Sequence, residues 1–395
     1  MNYRTEDNLS ILGFGCMRFP RSGNSFDMEE IEKEILHAVD MGINYFDMAY
    51  IYPGVETAFG KVLAKNNIRD KINIATKLPH YLMKTREDMD KNFKEQLERI
   101  NTDHIDYFLM HMLPDMNTFK VLVERGAFEW AEQLKKSGVI RKIGFSFHGN
   151  SDTFIELLNA YNWDFCQVQY NYLDEHSQAG RRGVEEAYRK NIPVIIMEPL
   201  RGGRLVNNLP HKAKAIINNS NRHYTAAEWS FRWLYNQPAV SVVLSGMNSM
   251  DMLDENIRIA NSVTIDSFTD EDYKTINLIT DAINEKVKIP CTGCSYCMPC
   301  PCGVDIPGSF SAYNRAYTDN FFSGIKQYIM CQVLKSEPNR ASQCTQCGRC
   351  EQHCPQHIEI RNELKRVKKK YENPIFNVAY SIINNSPKRN CDSNK

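Results

Sequence analysis

Asn44-Tyr45-Phe46-Asp47-Met48-Ala49-Tyr50-Ile51-Tyr52 is an apolar run that ends on a carboxylate, with a tyrosine five residues later. Read as a buried parallel strand, it puts Asp47 at the C-terminal end and Tyr52 in the loop beyond. In a (β/α)₈ barrel that rim is where chemistry is done. The same residues also suit a helix-capping aspartate and a surface tyrosine, so the rest of the chain decides.

Eight apolar, β-rich runs lie along the first 245 residues: Ile11–Cys16, Ile43–Asp47, Ile72–Lys77, Ile105–His111, Lys142–Phe147, Phe165–Gln169, Pro193–Glu198 and Val240–Ser245. They are near-continuous in hydrophobicity, as strands covered on both faces should be. Between them the patterns predict helices, among them Asp27–Met41, Thr85–Ile100, Phe119–Lys136 and Ser151–Tyr161, with caps at Thr85 and Ser151. Asp251–Ala260 and Thr269–Val287 predict two more. This is the size and alternation of a TIM barrel. A doubly wound open sheet is disfavoured because no G-x-G-x-x-G follows the first run.

Lys+Arg and Asp+Glu are equal at 48 each, so no global field points to nucleic acid or an anionic membrane. No apolar run is long enough to span a bilayer, and the first residues lack a signal peptide's apolar core. The expectation is a soluble, cytoplasmic protein. Of 13 cysteines, only Cys16 and Cys166 precede residue 290, and ten lie between 291 and 354. Such crowding predicts metal binding rather than disulfides. Composition shifts at Ile289-Pro290. The expected units are therefore a barrel over 1–288, a cysteine domain over 289–370 and a tail over 371–395.

Three successive runs deliver ionisable groups to one rim: Asp47 with Tyr52, then Lys77, then His111. A tyrosine of pKa about 10 is a poor acid at neutral pH. A nearby lysine cation is expected to lower that pKa, an aspartate to hold the lysine, and a histidine to orient a carbonyl oxygen. In this order, the four resemble the catalytic tetrad of the aldo/keto reductase superfamily. Gly13-Phe-Gly-Cys-Met-Arg-Phe-Pro20 is similar to its first strand and loop, Ile143–Phe147 to its fifth strand, Gln167–Asn171 to its sixth, and Glu198–Gly203 to its seventh with the phosphate loop.

The resemblance implies a nicotinamide cofactor. Ser146 and Gln167 fall where the family holds the carboxamide. Leu200, Gly202 and Gly203 fall at the pyrophosphate, Glu255 and Asn256 at the adenine, and Gly246 within the same cofactor-binding set. Met197 replaces an aromatic that many members stack on the nicotinamide. Met252 replaces an arginine that many use for a 2′-phosphate, which leaves NADH, NADPH or a flavin open. The implied substrate is a small carbonyl or alcohol.

Two cysteine runs follow: Cys291-x₂-Cys294-x₂-Cys297-x₂-Cys300-Pro301-Cys302 and Cys344-x₂-Cys347-x₂-Cys350-x₃-Cys354-Pro355. The second is the bacterial ferredoxin motif, whose fourth cysteine serves the other cluster. The spacing assigns Cys291, Cys294, Cys297 and Cys354 to one [4Fe–4S] cluster, and Cys344, Cys347, Cys350 and Cys300 to another. Cys302 competes with Cys300, and zinc is the alternative metal. The tail resembles a two-cluster ferredoxin domain with about forty residues inserted between its halves, and the whole chain resembles the branch of aldo/keto reductases that carries such an extension.

Three readings follow. In the first, hydride chemistry at Tyr52 is joined to single-electron transfer with a protein partner. In the second, an ordinary reductase carries a structural or docking tail. In the third, an inactive barrel serves as a redox sensor. The first meets a difficulty, because hydride carriers usually need a flavin to reach one-electron clusters, and no flavin site is evident.

Overall fold

Residues 1–293, 295–335, 338–354, 356–373 and 376 are described by the computed structural model. Eight strands form: β1 (Leu12–Gly15), β2 (Tyr45–Asp47), β3 (Asn73–Leu78), β4 (Ile105–Met110), β5 (Ile140–Phe147), β6 (Phe165–Gln169), β7 (Val194–Met197) and β8 (Val242–Ser245). Each pairs in parallel with its neighbours in sequence, and β8 pairs with β1, so the sheet closes into a barrel. The fold is a TIM barrel followed by a small separate domain that carries both cysteine runs.

Side chains alternate across each strand, which gives the barrel two cores. Tyr45, Ala75, Tyr107, Leu109, Phe165, Ile195 and Val242 fill the interior, and Leu9 of an N-terminal hairpin plugs its floor. A larger shell, with Phe46, Phe108, Phe145 and Trp130 in it, lies between strands and helices. Arg4 fastens the hairpin by donating to the carbonyls of Tyr235, Gln237 and Val240.

Two helical expectations need correction. Phe119–Lys136 is not one helix but two, Met116–Glu124 and Ala127–Lys136. Gly126, at φ 70°, takes the left-handed conformation between them, and the periodic apolar pattern runs on across the break. The cap before residue 151 is Asn150, whose side chain accepts from the amide of Thr153. The capping box at Thr85 forms with Asp88.

Beyond the barrel a separate core gathers Ile289, Ile306, Phe310, Tyr328, Ile358, Ile360, Leu364 and Tyr371. The stretch between the two cysteine runs folds into helices Ile306–Thr318 and Phe321–Tyr328 and a π-helical turn, Ile329–Val333. Of the expected tail, only Tyr371–Asn373 and Phe376 fall within the described residues. No helix among the described residues is long and apolar enough to cross a membrane.

One carboxylate in the helix Met28–Asp40 stands out. Glu34 is buried, neither oxygen has a hydrogen-bond partner among the described residues, and burial with Glu30 and Asp27 nearby raises its pKa to about 7. A raised carboxyl pKa destabilises the fold increasingly as pH climbs from the unfolded value to the folded one. Glu34→Gln is therefore expected to raise the melting temperature at pH 8, by a stabilisation of about 3 kcal/mol at most, and to change nothing at pH 4. Thermal melts at the two pH values check this.

Candidate active site and cysteine clusters

The strand register brings the four rim residues together. Asp47 ends β2 opposite Ala75, and Lys77 lies two residues along β3. Lys77 Nζ reaches Asp47 Oδ1 at 2.7 Å and the Met48 carbonyl at 2.7 Å, and both side chains are buried. The lysine stands 5.6 Å from the Tyr52 ring centroid. His111, just past β4, meets the Tyr52 ring edge-on at 6.4 Å between centroids, and Tyr81 flanks the same histidine.

The electrostatics correct one expectation. Burial first, and then Asp47, push the Tyr52 hydroxyl above its ordinary pKa rather than below it. The Lys77 cation is engaged by the carboxylate and a carbonyl, and so does little for the tyrosinate. Burial and Lys77 hold His111 well below the usual imidazole range. At neutral pH the rim therefore presents a protonated phenol and a neutral imidazole.

The residues expected at the cofactor lie around the same rim. Ser146 and Gln167 are register partners on β5 and β6. Gln167 Nε2 donates to Asp47 Oδ2 at 2.8 Å, and Ser146 Oγ accepts from the Met112 amide at 2.8 Å. After β7 the backbone turns left-handed at Glu198 (φ 51°), Arg201 (φ 46°), Gly202 (φ 68°) and Gly203 (φ 87°). For Glu198 and Arg201 this conformation costs about 1–2 kcal/mol each, the kind of strain that clusters at functional loops. Leu200 packs against the barrel core, and its carbonyl accepts from the Gly203 amide. Arg18 bridges the two loops that would flank a dinucleotide. It donates to the Gly202 carbonyl at 3.1 Å, and its stem lies where a Cβ on Gly246 would stand, with 2.9 Å to Cδ. Asn256 is anchored on Ser245 at 3.0 Å, and Glu255 on Thr225 at 2.7 Å. Met252 is exposed.

Sequence reasoning missed four residues near this rim. His148 is buried just beyond β5, bonded to Gln178 at 3.1 Å. Glu198 is an ion-pair acceptor, and its partners come from the cysteine-rich domain. Arg315 Nη2 approaches Glu198 Oε2 at 3.2 Å, and Lys326 Nζ approaches Oε1 at 3.2 Å. The position of His148, one residue past an apolar run that already held Ser146, was a usable signal. Arg315 and Lys326 had none, since the helices that carry them belong to no motif.

The same seam holds a buried charge network. Arg201 binds Asp174 at 2.9 Å and Asp319 at 3.1 Å, and Arg315 also reaches Asp319 at 3.2 Å. Ser177 and Ser311 meet at 2.9 Å across it. The backbone of Gly293 presses on the barrel so closely that a Cβ there would stand 2.5 Å from the His176 carbonyl oxygen, so only glycine fits.

Cys291, Cys297 and Cys354 line one cavity floored by Ile306, Phe310, Ile358 and Ile360. Cys354 thus joins the first run from far along the chain. Cys294 lies outside the described residues. Cys300 is within electrostatic reach of Cys344, and Cys350 of both. Cys347 is exposed, and Cys302 Sγ lies 3.3 Å from Thr345 Oγ1. Among the described residues no three His, Cys, Asp or Glu side chains gather around a point suited to a single metal ion. The donor set is all thiol and lies around an apolar-floored cavity, which suits an iron–sulfur cluster.

Comparison with known proteins agrees with the fold. The aldo/keto reductase family matches residues 11–281, and a 4Fe-4S dicluster domain matches residues 290–359. The oxidoreductase YqkF of Bacillus subtilis is 25% identical over 299 residues, which cover 68% of this chain and 92% of that protein. The (1S)-1,7-diacetoxy-luvungin A aldo-keto reductase of Citrus sinensis is 25% identical over 284 residues, or 65% of this chain and 82% of that one. Among solved structures, the holo form of the aldo-keto reductase AKR11C1 from Bacillus halodurans superposes with a TM-score of 0.58 at 24% identity, covering 71% of this chain and 95% of that one. An aldo-keto reductase from Klebsiella pneumoniae in complex with NADPH gives a TM-score of 0.58 at 19% identity over 70% of this chain and 93% of that one. The match spans well over half the chain: this protein belongs to the aldo/keto reductase family of oxidoreductases and carries a C-terminal 4Fe-4S domain.

Proposed function

We propose that the barrel reduces a small carbonyl compound, or oxidises the corresponding alcohol, with Tyr52 as proton donor. The observation that carries this reading is the buried Lys77–Asp47 pair at 2.7 Å beside Tyr52 and His111 on one rim. A nicotinamide dinucleotide supplies the hydride when bound. Ser146, Gln167, Leu200, Gly202, Gly203, Gly246, Glu255 and Asn256 are the residues we assign to hold it. Tyr52 stays protonated because burial disfavours the phenolate, and it gives its proton as negative charge develops on the substrate oxygen. Neutral His111 donates a hydrogen bond to that oxygen and orients it. Asp47 holds the Lys77 side chain in place through the 2.7 Å contact.

We assign Cys291, Cys294, Cys297 and Cys354 to one [4Fe–4S] cluster and Cys300, Cys344, Cys347 and Cys350 to a second. The clusters would exchange single electrons with a protein partner. The division into 1–288, 289–370 and 371–395 belongs to the same reading. Cys300 lies within electrostatic reach of Cys344, which is compatible with it as the fourth ligand, and Cys302, with its Sγ 3.3 Å from Thr345 Oγ1, is the competitor. Cys300→Ser is expected to lower bound iron from about eight to about four per chain, and Cys302→Ser to leave it unchanged. Iron assay of anaerobically purified protein checks both, and zinc in place of iron would sink the assignment.

A second reading has an observation in its favour: the ion pairs of Arg315 and Lys326 with Glu198 suit a tail that docks on an ordinary reductase. Anaerobic titration with NADH, NADPH and FMN, followed by absorbance of the clusters, separates the two. Bleaching by dinucleotide alone supports electron transfer, and no bleaching with any of the three supports docking.

A further inference from the structure

We propose that Arg315 and Lys326 of the iron–sulfur domain are positioning residues for the barrel's active site, acting through Glu198. The inference rests on the rim being a reductase site. It goes further in making that site incomplete without the appended domain.

Glu198 sits at the meeting point. Its backbone is left-handed, and it directly follows β7, the strand that ends at Met197. Its carboxylate takes one cation from each side of a helical hairpin, Arg315 from Ile306–Thr318 and Lys326 from Phe321–Tyr328. Arg315 is itself fixed: it is almost fully buried, and Asp319, Ser323 and Gln327 accept from its guanidinium at 3.1–3.2 Å. His148, Gln178 and Cys331 line the same cavity as Glu198, Arg315 and Lys326.

The charge on Glu198 is felt in the barrel. It raises the pKa of Tyr52 and opposes the effect of burial on His148, while Arg315 and Lys326 act on His148 in the other direction. Among the described residues, the groups that interact electrostatically with Glu198 include these two cations, Arg201, His148, Tyr52 and the Cys331 thiol, and Arg18 and Arg204 line the same cavity. Burial alone would raise Glu198, but Arg315 and Lys326 outweigh it and hold the carboxyl at about 2. The carboxylate is therefore always charged, and the two cations decide how much of its field reaches the phenol. With Lys326 alone removed, Arg315 still holds the carboxylate charged, and its less screened field makes the Tyr52 proton harder to release and the imidazole of His148 easier to charge.

Lys326 is the informative test because its side chain is 60% exposed and its loss does not threaten folding. Lys326→Ala is expected to raise the His148 pKa by at least half a unit in an NMR titration of the full iron-loaded chain. It is also expected to move the acid limb of kcat/KM for carbonyl reduction to higher pH. Lys94→Ala, remote and on an exposed helix face, should do neither. Arg315→Ala is expected to lower kcat at least tenfold, with Arg315→Lys recovering part of it and Glu198→Gln in the Arg315→Ala background recovering most. An unmoved His148 titration in Lys326→Ala overturns the proposal, as does an Arg315→Ala loss that Glu198→Gln fails to relieve. Absence of any carbonyl reduction by the wild-type chain overturns the reductase reading instead, and leaves the histidine titration to decide the proposal.

Discussion

Tyr52→Phe is expected to lower kcat/KM for carbonyl reduction by about 10²–10⁴-fold, with dinucleotide binding and iron content unchanged. The substitution removes one oxygen and keeps the ring that packs against His111 and Lys77. Loss of binding would therefore be a sign of a different defect. The pH dependence has a definite sign. A phenol with a raised pKa remains a proton donor as pH rises, and an imidazole with a lowered pKa remains neutral as pH falls. Reduction is accordingly expected to be flat between about pH 6.5 and 9. Steady-state kinetics across that range check it, and a steep fall near neutral pH would rule out Tyr52 as proton donor and neutral His111 as its companion.

Arg201→Ala carries the largest expected effect on stability, about 3–5 kcal/mol. The substitution removes the close cation of buried Asp174 and one of the cations on buried Asp319, which keeps Arg315. Burial works against the Arg201 cation, but Asp174 and Asp319 outweigh it and hold it above the ordinary arginine range. Arg201 in turn keeps Asp174 below the usual carboxylate range despite its burial. Both shifts are coupled to one seam, so the loss should fall on how the iron–sulfur domain is held to the barrel. Calorimetry of the loaded full chain should show the transition of that domain separating from the barrel's. A melt that stays coincident with wild type contradicts this.

The barrel was legible because its signals are local. Runs such as Ile105-Asp106-Tyr107-Phe108-Leu109-Met110, apolar except for Asp106, are buried on both faces, as a strand in a helix-covered sheet is. Asp47, Lys77 and His111 were legible for the same reason, since each closes such a run. The break at Gly126 was missed because the apolar period continues through it, and a single left-handed residue leaves no mark on that period. The direction of the Tyr52 shift was misjudged because burial, and then the Asp47 charge, govern it. Both are set by side-chain placement at the rim rather than by sequence spacing. Arg315 and Lys326 were invisible because they act across a seam between parts of the chain more than a hundred residues apart.

The helices that carry Arg315 and Lys326 lie between Cys300 and Cys344. With both thiols on one cluster, the iron is a cross-link that closes a loop of roughly 45 residues, and the chain-entropy relation for such a closure gives about 4 kcal/mol. The cluster is then a staple for the hairpin over the barrel mouth before it is a conductor. Stripping the iron would loosen the two cations from Glu198 and slow carbonyl reduction without any electron having moved through the protein. Activity lost on chelation therefore measures the staple, and only reduction of the clusters by dinucleotide measures the wire.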